Sequence, residues 1–236
     1  MENRCKEYIE QIKRAYRVVS LLSEKNGAQV VRLRHKSLEK DIILRHYPEP
    51  IPAYDALREL RHPNLPEVYD SLYFANGQIV LEEYVDGVTA AEVLETGTYT
   101  PRGAADVLRK VCAAVAALHS FGILHLDIKP ENVMVTASGE VKLIDLNASK
   151  LKTAAQKPET TVLGTIGYAA YEQLGISPCD ERTDVFALGV LLNVLLTGEH
   201  PAKQCAAGRL GRIVRKCTHT DPAARYQSAA KLLAAL

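Results

Sequence analysis

His125-Leu126-Asp127-Ile128-Lys129-Pro130-Glu131-Asn132 is the stretch on which the reading of this chain turns. It sets a carboxylate, an ammonium and a carboxamide on one short loop that Pro130 stiffens. Upstream, Gly103 to Phe121 carries apolar residues at helical spacing, and Gly122 ends the run. Downstream, Val133-Met134-Val135 and Val141-Lys142-Leu143-Ile144 read as two short strands around a Ser138-Gly139 turn. Asp145 follows the second strand directly, so a second carboxylate arrives at a strand end beside the loop.

Those residue types suit phosphoryl transfer, which needs an aligned nucleophile and neutralised charge more than covalent help. Asp127 is placed to accept a hydrogen bond from an attacking hydroxyl, and Lys129 to balance charge on the moving group. Asn132 and Asp145 offer hard oxygen ligands of the kind Mg²⁺ takes. The plain alternative is a surface turn rich in polar residues. It requires the whole octapeptide and the strand-borne Asp145 to coincide by chance.

The octapeptide resembles the catalytic loop of protein kinases, His-Arg-Asp-Leu-x-x-x-Asn, with Leu126 in place of Arg. Lysine after the catalytic Asp is similar to kinases that act on Ser and Thr. The resemblance implies an α+β fold of two lobes with nucleotide between them. The expected division is a small β-rich N-lobe with a leading helix over 1–84 and a larger helical C-lobe over 85–236, together one kinase-like domain. It further implies ATP and Mg²⁺ as cofactors and a protein as substrate.

In the small lobe the chain departs from the family. Glu2 to Lys13 predicts a leading helix, with Tyr8, Ile9 and Ile12 on one face. Tyr16 to Leu22, Val30 to Arg34 and Asp41 to Arg45 predict three strands, the first two joined through Glu24-Lys25-Asn26-Gly27. Aligned on Val30, the three glycines of the family's phosphate loop become Ser23, Lys25 and Ala28. The loop is therefore reshaped, with Lys25 as a side-chain charge, or is a hairpin only. Arg45 stands where the family's strand lysine grips the phosphates, a swap that changes shape as well as size. Ile43 replaces the alanine under adenine. Residues Pro50 to Arg61 predict the regulatory helix, with Ala53 at the position of its glutamate. Asp55, two residues on, points to nearly the opposite side.

Tyr69 to Phe74 and Gln78 to Glu83 predict a hairpin around Asn76-Gly77, followed by the connector Glu83-Tyr84-Val85-Asp86-Gly87, whose backbone is expected at the adenine edge. Glu82 occupies the usually apolar gatekeeper position. Two readings stand: Glu82 pairs with Arg45 in place of the helix glutamate, or it is solvated in an open cleft. The resemblance thus places Lys25, Val30, Arg45, Glu83, Val85 and Met134 at the nucleotide, Asp127 and Lys129 at the chemistry, and Asn132 and Asp145 on the metal. Leu57, Val68, His125 and Leu146 match the four apolar positions that stack through a kinase core.

In the large lobe the match is tighter. Thr89 to Leu94 predicts a short helix and Arg102 to Ser120 a long one. Asp145-Leu146-Asn147 stands for Asp-Phe-Gly, with Asn147 expected to tolerate left-handed backbone. Lys150 to Val162 corresponds to the activation segment, with Thr153, Thr160 and Thr161 as hydroxyls. Leu126 removes the arginine that receives a phosphate there, so activation by phosphorylation of that segment is not expected. Thr165, in Gly164-Thr165-Ile166-Gly167-Tyr168, is expected near Asp127 and Lys129 as part of substrate docking. Glu172 is expected to pair with Arg225, and Asp184 to cap the catalytic-loop backbone.

Composition fixes the class. The chain has 236 residues, 47% hydrophobic and 24% charged, ordinary for a globular protein. A net charge of +1 gives no footing for nucleic acid or an anionic membrane. Cys5, Cys112, Cys179, Cys205 and Cys217 are scattered without C-x-x-C spacing, which reads as reduced thiols in a cytoplasmic protein. Met1 to Arg17 has no leader pattern, and Val185 to Leu196 is too short to span a bilayer. Many bacterial kinases of this type continue into a membrane anchor, so the chain reads as a stand-alone domain or a piece of a longer one. The expected function is a Ser/Thr protein kinase. The alternative is a pseudokinase scaffold, which Ile43, Arg45, Ala53 and Glu82 favour.

Overall fold

The computed structural model describes residues 2–74, 77–152, 165, 167–175 and 177–236, with side chains from residue 5 onward. They form two compact units, Met1–Arg61 with Pro66–Val85, and His62–Leu65 with Asp86–Leu236. The sequence boundary at 84 does not include the excursion at 62–65. Asn64 explains it: its Nδ2 donates to the Val141 carbonyl at 2.8 Å, and its own carbonyl accepts from Leu143 N at 2.9 Å.

The first unit is a five-stranded antiparallel sheet under a helix. Strands β1 (Tyr16–Lys25), β2 (Ala28–His35), β3 (Asp41–Tyr47), β4 (Val68–Phe74) and β5 (Gly77–Glu83) lie in the order β1-β2-β3-β5-β4. Asn26 and Gly27 turn β1 into β2, both at positive φ (52° and 79°), as a two-residue hairpin loop demands. Side chains alternate across the sheet. One face offers Leu33, Ile42, Ile79 and Leu81, which Tyr8, Ile9 and Ile12 of helix α1 (Glu2–Ala15) cover. Tyr8 also donates its hydroxyl to Asp70 Oδ2 at 2.8 Å. The strand residues one step along, Ile43, Arg45, Val80 and Glu82, face the other way.

Within Pro50 to Arg61, where the sequence predicts a helix, Ala53–Leu57 is helical (α2). Pro52 enters it without a side-chain cap, and beyond Leu57 the backbone tightens into i→i+3 turns ahead of Pro63. The second hairpin pairs Phe74 with Gly77, and Asn76 lies outside the described residues.

In the second unit, Thr89 and Glu92 form a capping box at helix α3 (Ala90–Thr96). Thr100 caps helix α4 (Pro101–Ser120), which buries Ala104, Leu108, Val111, Val115 and Leu118 on one stripe. Gly122, at φ 70°, supplies the left-handed turn that ends it. Helix α5 (Glu181–Thr197) is buried along nearly its whole length and packs against α4 and α6 (Gly208–Cys217). At Gly189 the approach of α6 is so close that a Cβ would overlap that of Cys217. Helix α7 (Ala229–Leu233) lies on α4. Short strands β6 (Gly87–Thr89), β8 (Val133–Thr136) and β9 (Val141–Leu143) form one small sheet, and β7 (Ile123–Leu124) and β10 (Lys150–Leu151) another.

Candidate active site

The catalytic loop leaves β7 and is fixed by Asp184 on α5, as the sequence predicts. Asp184 accepts from His125 N at 2.9 Å and from Leu126 N at 2.8 Å. Asp184 is fully buried. Burial alone pushes its carboxyl up, but His119, and after it His125 with its amide, outweigh this and hold it below the ordinary value. His119 Nε2 sits 2.8 Å from Asp184 Oδ2, a support the sequence reading missed. Its only signal is a histidine in the last turn of the helix feeding the loop.

Leu126 adopts φ 64°, a conformation that costs a branched side chain energy. It persists because the residue is pinned on every side. Its two neighbours' amides bind Asp184 or His125, its side chain is buried beside Leu124 and Cys179, and its carbonyl accepts from Gln173 Nε2 at 2.8 Å. Gln173 is a second support that no motif announces. His125 is wholly buried, and burial lowers its pKa, so it is a neutral acceptor for Asp127 N.

Four polar side chains then converge. Thr165 donates its hydroxyl to Asp127 Oδ1 at 2.7 Å and accepts from Lys129 Nζ at 2.7 Å. Lys129 Nζ also lies 2.8 Å from Asp127 Oδ2. Asn132 Nδ2 donates to the Asp127 carbonyl at 2.8 Å and to Oδ2 at 3.1 Å. Burial raises the Asp127 carboxyl, yet the Lys129 ammonium and Thr165 hydroxyl carry it below the ordinary carboxylate range. Asp127 is thus ionised at neutral pH. Lys129→Met is expected to reverse the balance. With the ammonium gone, burial dominates, the Asp127 pKa rises, and the acid limb of the pH–rate profile moves to higher pH than in the wild type.

The bonds of Asn132 commit its nitrogen, so the amide oxygen is the atom it could offer a cation. Asp145 follows β9 with φ 65°, a conformation Asp tolerates better than most residues. Around the loop and the end of β9 the non-glycine residues at positive φ are Leu126 and Asp145; Asn147, expected to tolerate such a backbone, does not adopt it. An amide and a carboxylate oxygen fit Mg²⁺, which takes few protein ligands and completes its shell with phosphate and water.

A separate group lies in the first unit. Val30 and Arg45 are cross-strand partners, as the alignment on Val30 requires. Arg45 Nε donates to Glu82 Oε1 at 2.6 Å with both side chains buried, so of the two readings of Glu82 the paired one holds. Lys25 ends β1 and is exposed at the hairpin corner. Glu83 accepts from Glu67 N through Oε2, and Val85 is buried. Met134 belongs to the second unit, on β8 opposite Lys142.

Glu172 and Arg225 meet as expected, with Nη1 to Oε1 at 2.7 Å and Nη2 to Oε2 at 3.1 Å. Thr153, Thr160, Thr161, Gly164 and Ile166 lie outside the described residues. No helix among the described residues is long and apolar enough to cross a membrane.

Residues 16–233 match the family model described as protein kinase domain. The chain is 36% identical over 148 residues to the serine/threonine-protein kinase PknL of Mycobacterium tuberculosis, covering 62% of this chain and 37% of that one. It is 31% identical over 208 residues to the PknB kinase of the same species, covering 75% and 33%. A probable serine/threonine-protein kinase PknB of Lactococcus lactis is 33% identical over 148 residues, covering 62% and 24%. The chain thus spans about a quarter to two fifths of the length of these relatives. Residues 1–15 and the last three fall outside the matched region, and on this match and the loop geometry the chain belongs to the protein kinase family.

Proposed function

We propose that the chain transfers the γ-phosphoryl group of Mg-ATP to a Ser or Thr hydroxyl of a protein in the cytoplasm. The observation that carries this reading is the closed set Asp127–Thr165–Lys129–Asn132. In it an ionised carboxylate and an ammonium stand side by side, the pair that an incoming hydroxyl would need. Asp127 accepts a hydrogen bond from that hydroxyl and orients its lone pair. Because its pKa is lowered, Asp127 acts by alignment more than as a strong base. Lys129 neutralises charge on the group in transit. Asn132 and Asp145 hold Mg²⁺, which when bound offsets the negative charge of the phosphates. Arg45, Lys25, Val30, Glu83, Val85 and Met134 receive the nucleotide. The bond from γ-phosphorus to the β-bridging oxygen breaks, one to the substrate oxygen forms, and ADP leaves. The hydroxyl proton passes to Asp127 or to the transferred phosphoryl oxygens.

A thermal-shift titration with ATP, with and without Mg²⁺, tests the nucleotide half. A ligand that binds only folded protein raises the melting temperature, by about 2.7 kcal/mol of stability at one hundred times its Kd. A Mg-dependent rise that Asp145→Asn abolishes is expected. No shift at millimolar ATP would leave a binding scaffold in its place.

A further inference from the structure

We infer that Glu82 is the positioning residue for Arg45, so that the grip on the ATP phosphates is set inside the five-stranded sheet and does not depend on helix α2. This rests on the reading of Arg45 as a phosphate-binding cation. Three observations in the first unit carry it.

First, the pair is built into the sheet. Ile43 opposes Glu82 and Arg45 opposes Val80, so Arg45 and Glu82 lie diagonally on one face of neighbouring strands. Six consecutive register pairs hold β3 to β5, which gives the ion pair a stiff base. Second, both charges are buried, Arg45 at 6% exposure and Glu82 at 5%. A buried charge is tolerated only when it is paired in good geometry. Glu82 therefore fixes where the guanidinium stands. A guanidinium suits this double duty: one edge donates to the carboxylate while its fork also presents N–H groups in other directions, which a single ammonium does not do.

Third, α2 has no acid to give. Its family glutamate position is Ala53, wholly buried. Its one carboxylate, Asp55, is engaged by the sheet edge, accepting from Ser71 Oγ at 3.2 Å and from Tyr73 OH at 2.6 Å. These bonds bolt α2 to β4. At five residues, α2 is too short to hold itself as a helix without such anchoring. Displacing α2 then leaves the Arg45–Glu82 pair intact.

The test uses steady-state kinetics of the full chain with Mg-ATP as the varied substrate. Glu82→Gln removes the charge that orients Arg45, and the KM for ATP rises about tenfold, the size of one lost charge-assisted bond, while kcat changes far less. Glu82→Asp keeps the charge but draws the carboxylate back by one methylene, and raises KM in the same direction if Glu82→Gln does not fold. Asp55→Asn loosens α2 and lowers the melting temperature, yet leaves KM for ATP unchanged. An unchanged KM in both Glu82 variants, or an equal rise in Asp55→Asn, overturns the inference. A wild-type chain without Mg-ATP turnover overturns the kinase reading itself, and this inference with it.

Discussion

Asp127→Asn is expected to lower kcat for transfer to a protein hydroxyl by about 10³-fold, within the range for removing a positioned proton acceptor. The substitution is nearly isosteric, so the loop keeps its shape. Asp184 still binds the amides of His125 and Leu126, and Asn132 still binds the carbonyl of residue 127. What is lost is the carboxylate that Thr165 and Lys129 face across 2.7 and 2.8 Å. An amide in that place presents a donor on one side and a weaker acceptor on the other, so an incoming hydroxyl is no longer aligned. Melting temperature and Mg-ATP binding stay close to wild type. Activity within tenfold of wild type would move the central role to another residue.

Arg225→Ala is expected to cost about 3–5 kcal/mol of stability, the usual effect of removing one partner from a buried ion pair. The Arg225 side chain has no exposure at all. Its five N–H donors reach Glu172 twice and the carbonyls of His219, Thr220 and Arg182, at 2.7–3.2 Å. The guanidinium also stacks 5.0 Å from the Phe186 ring centroid. Truncation strands the Glu172 carboxylate, which among the described residues keeps the Thr183 hydroxyl, at 2.9 Å. For a chain of this size the loss corresponds to a drop in melting temperature on the order of 10 °C. Adding Glu172→Leu to Arg225→Met should recover part of it, because the isolated charge is then gone. If Arg225→Ala melts within about 2 °C of wild type, the pair is not a strut of the second unit.

The parts of the site that were legible in the sequence are those whose chemistry is local. The octapeptide from His125 to Asn132 places Asp127, Lys129 and Asn132 within six residues, and the strand that delivers Asp145 is announced by its own alternation. Asp184, Glu172 and Arg225 were legible through motifs that tie distant residues to the loop. Spacing from Val30 located Arg45 at the strand position of the family's lysine, and pairing with Glu82 was one of two readings until the register set both side chains on one face. What escaped is what tertiary packing decides. No periodicity reveals that Pro52 and Pro63 leave α2 one short turn and a half. Nothing local says that Asp55 bonds Ser71 and Tyr73 on another strand, or that Gln173 supports the Leu126 carbonyl. The strained φ of Leu126 is held by partners 47 to 58 residues away in sequence. The apolar face of α1 was visible, but that it covers Leu33, Ile42, Ile79 and Leu81 is a property of the assembled sheet.

The same division bears on regulation. Leu126 stands where the family has an arginine that receives an activating phosphate, and the structure buries it among apolar neighbours. A hydrophobic side chain in that place offers nothing to a phosphorylated hydroxyl.

The most direct measurement is phosphoamino-acid analysis of a generic protein acceptor incubated with the chain and γ-labelled ATP. The account predicts Mg-dependent label on serine and threonine, none on tyrosine, and none with Asp127→Asn. Absence of label from the acceptor, with ATP bound but unconsumed, would contradict it and make the fold a nucleotide-binding scaffold.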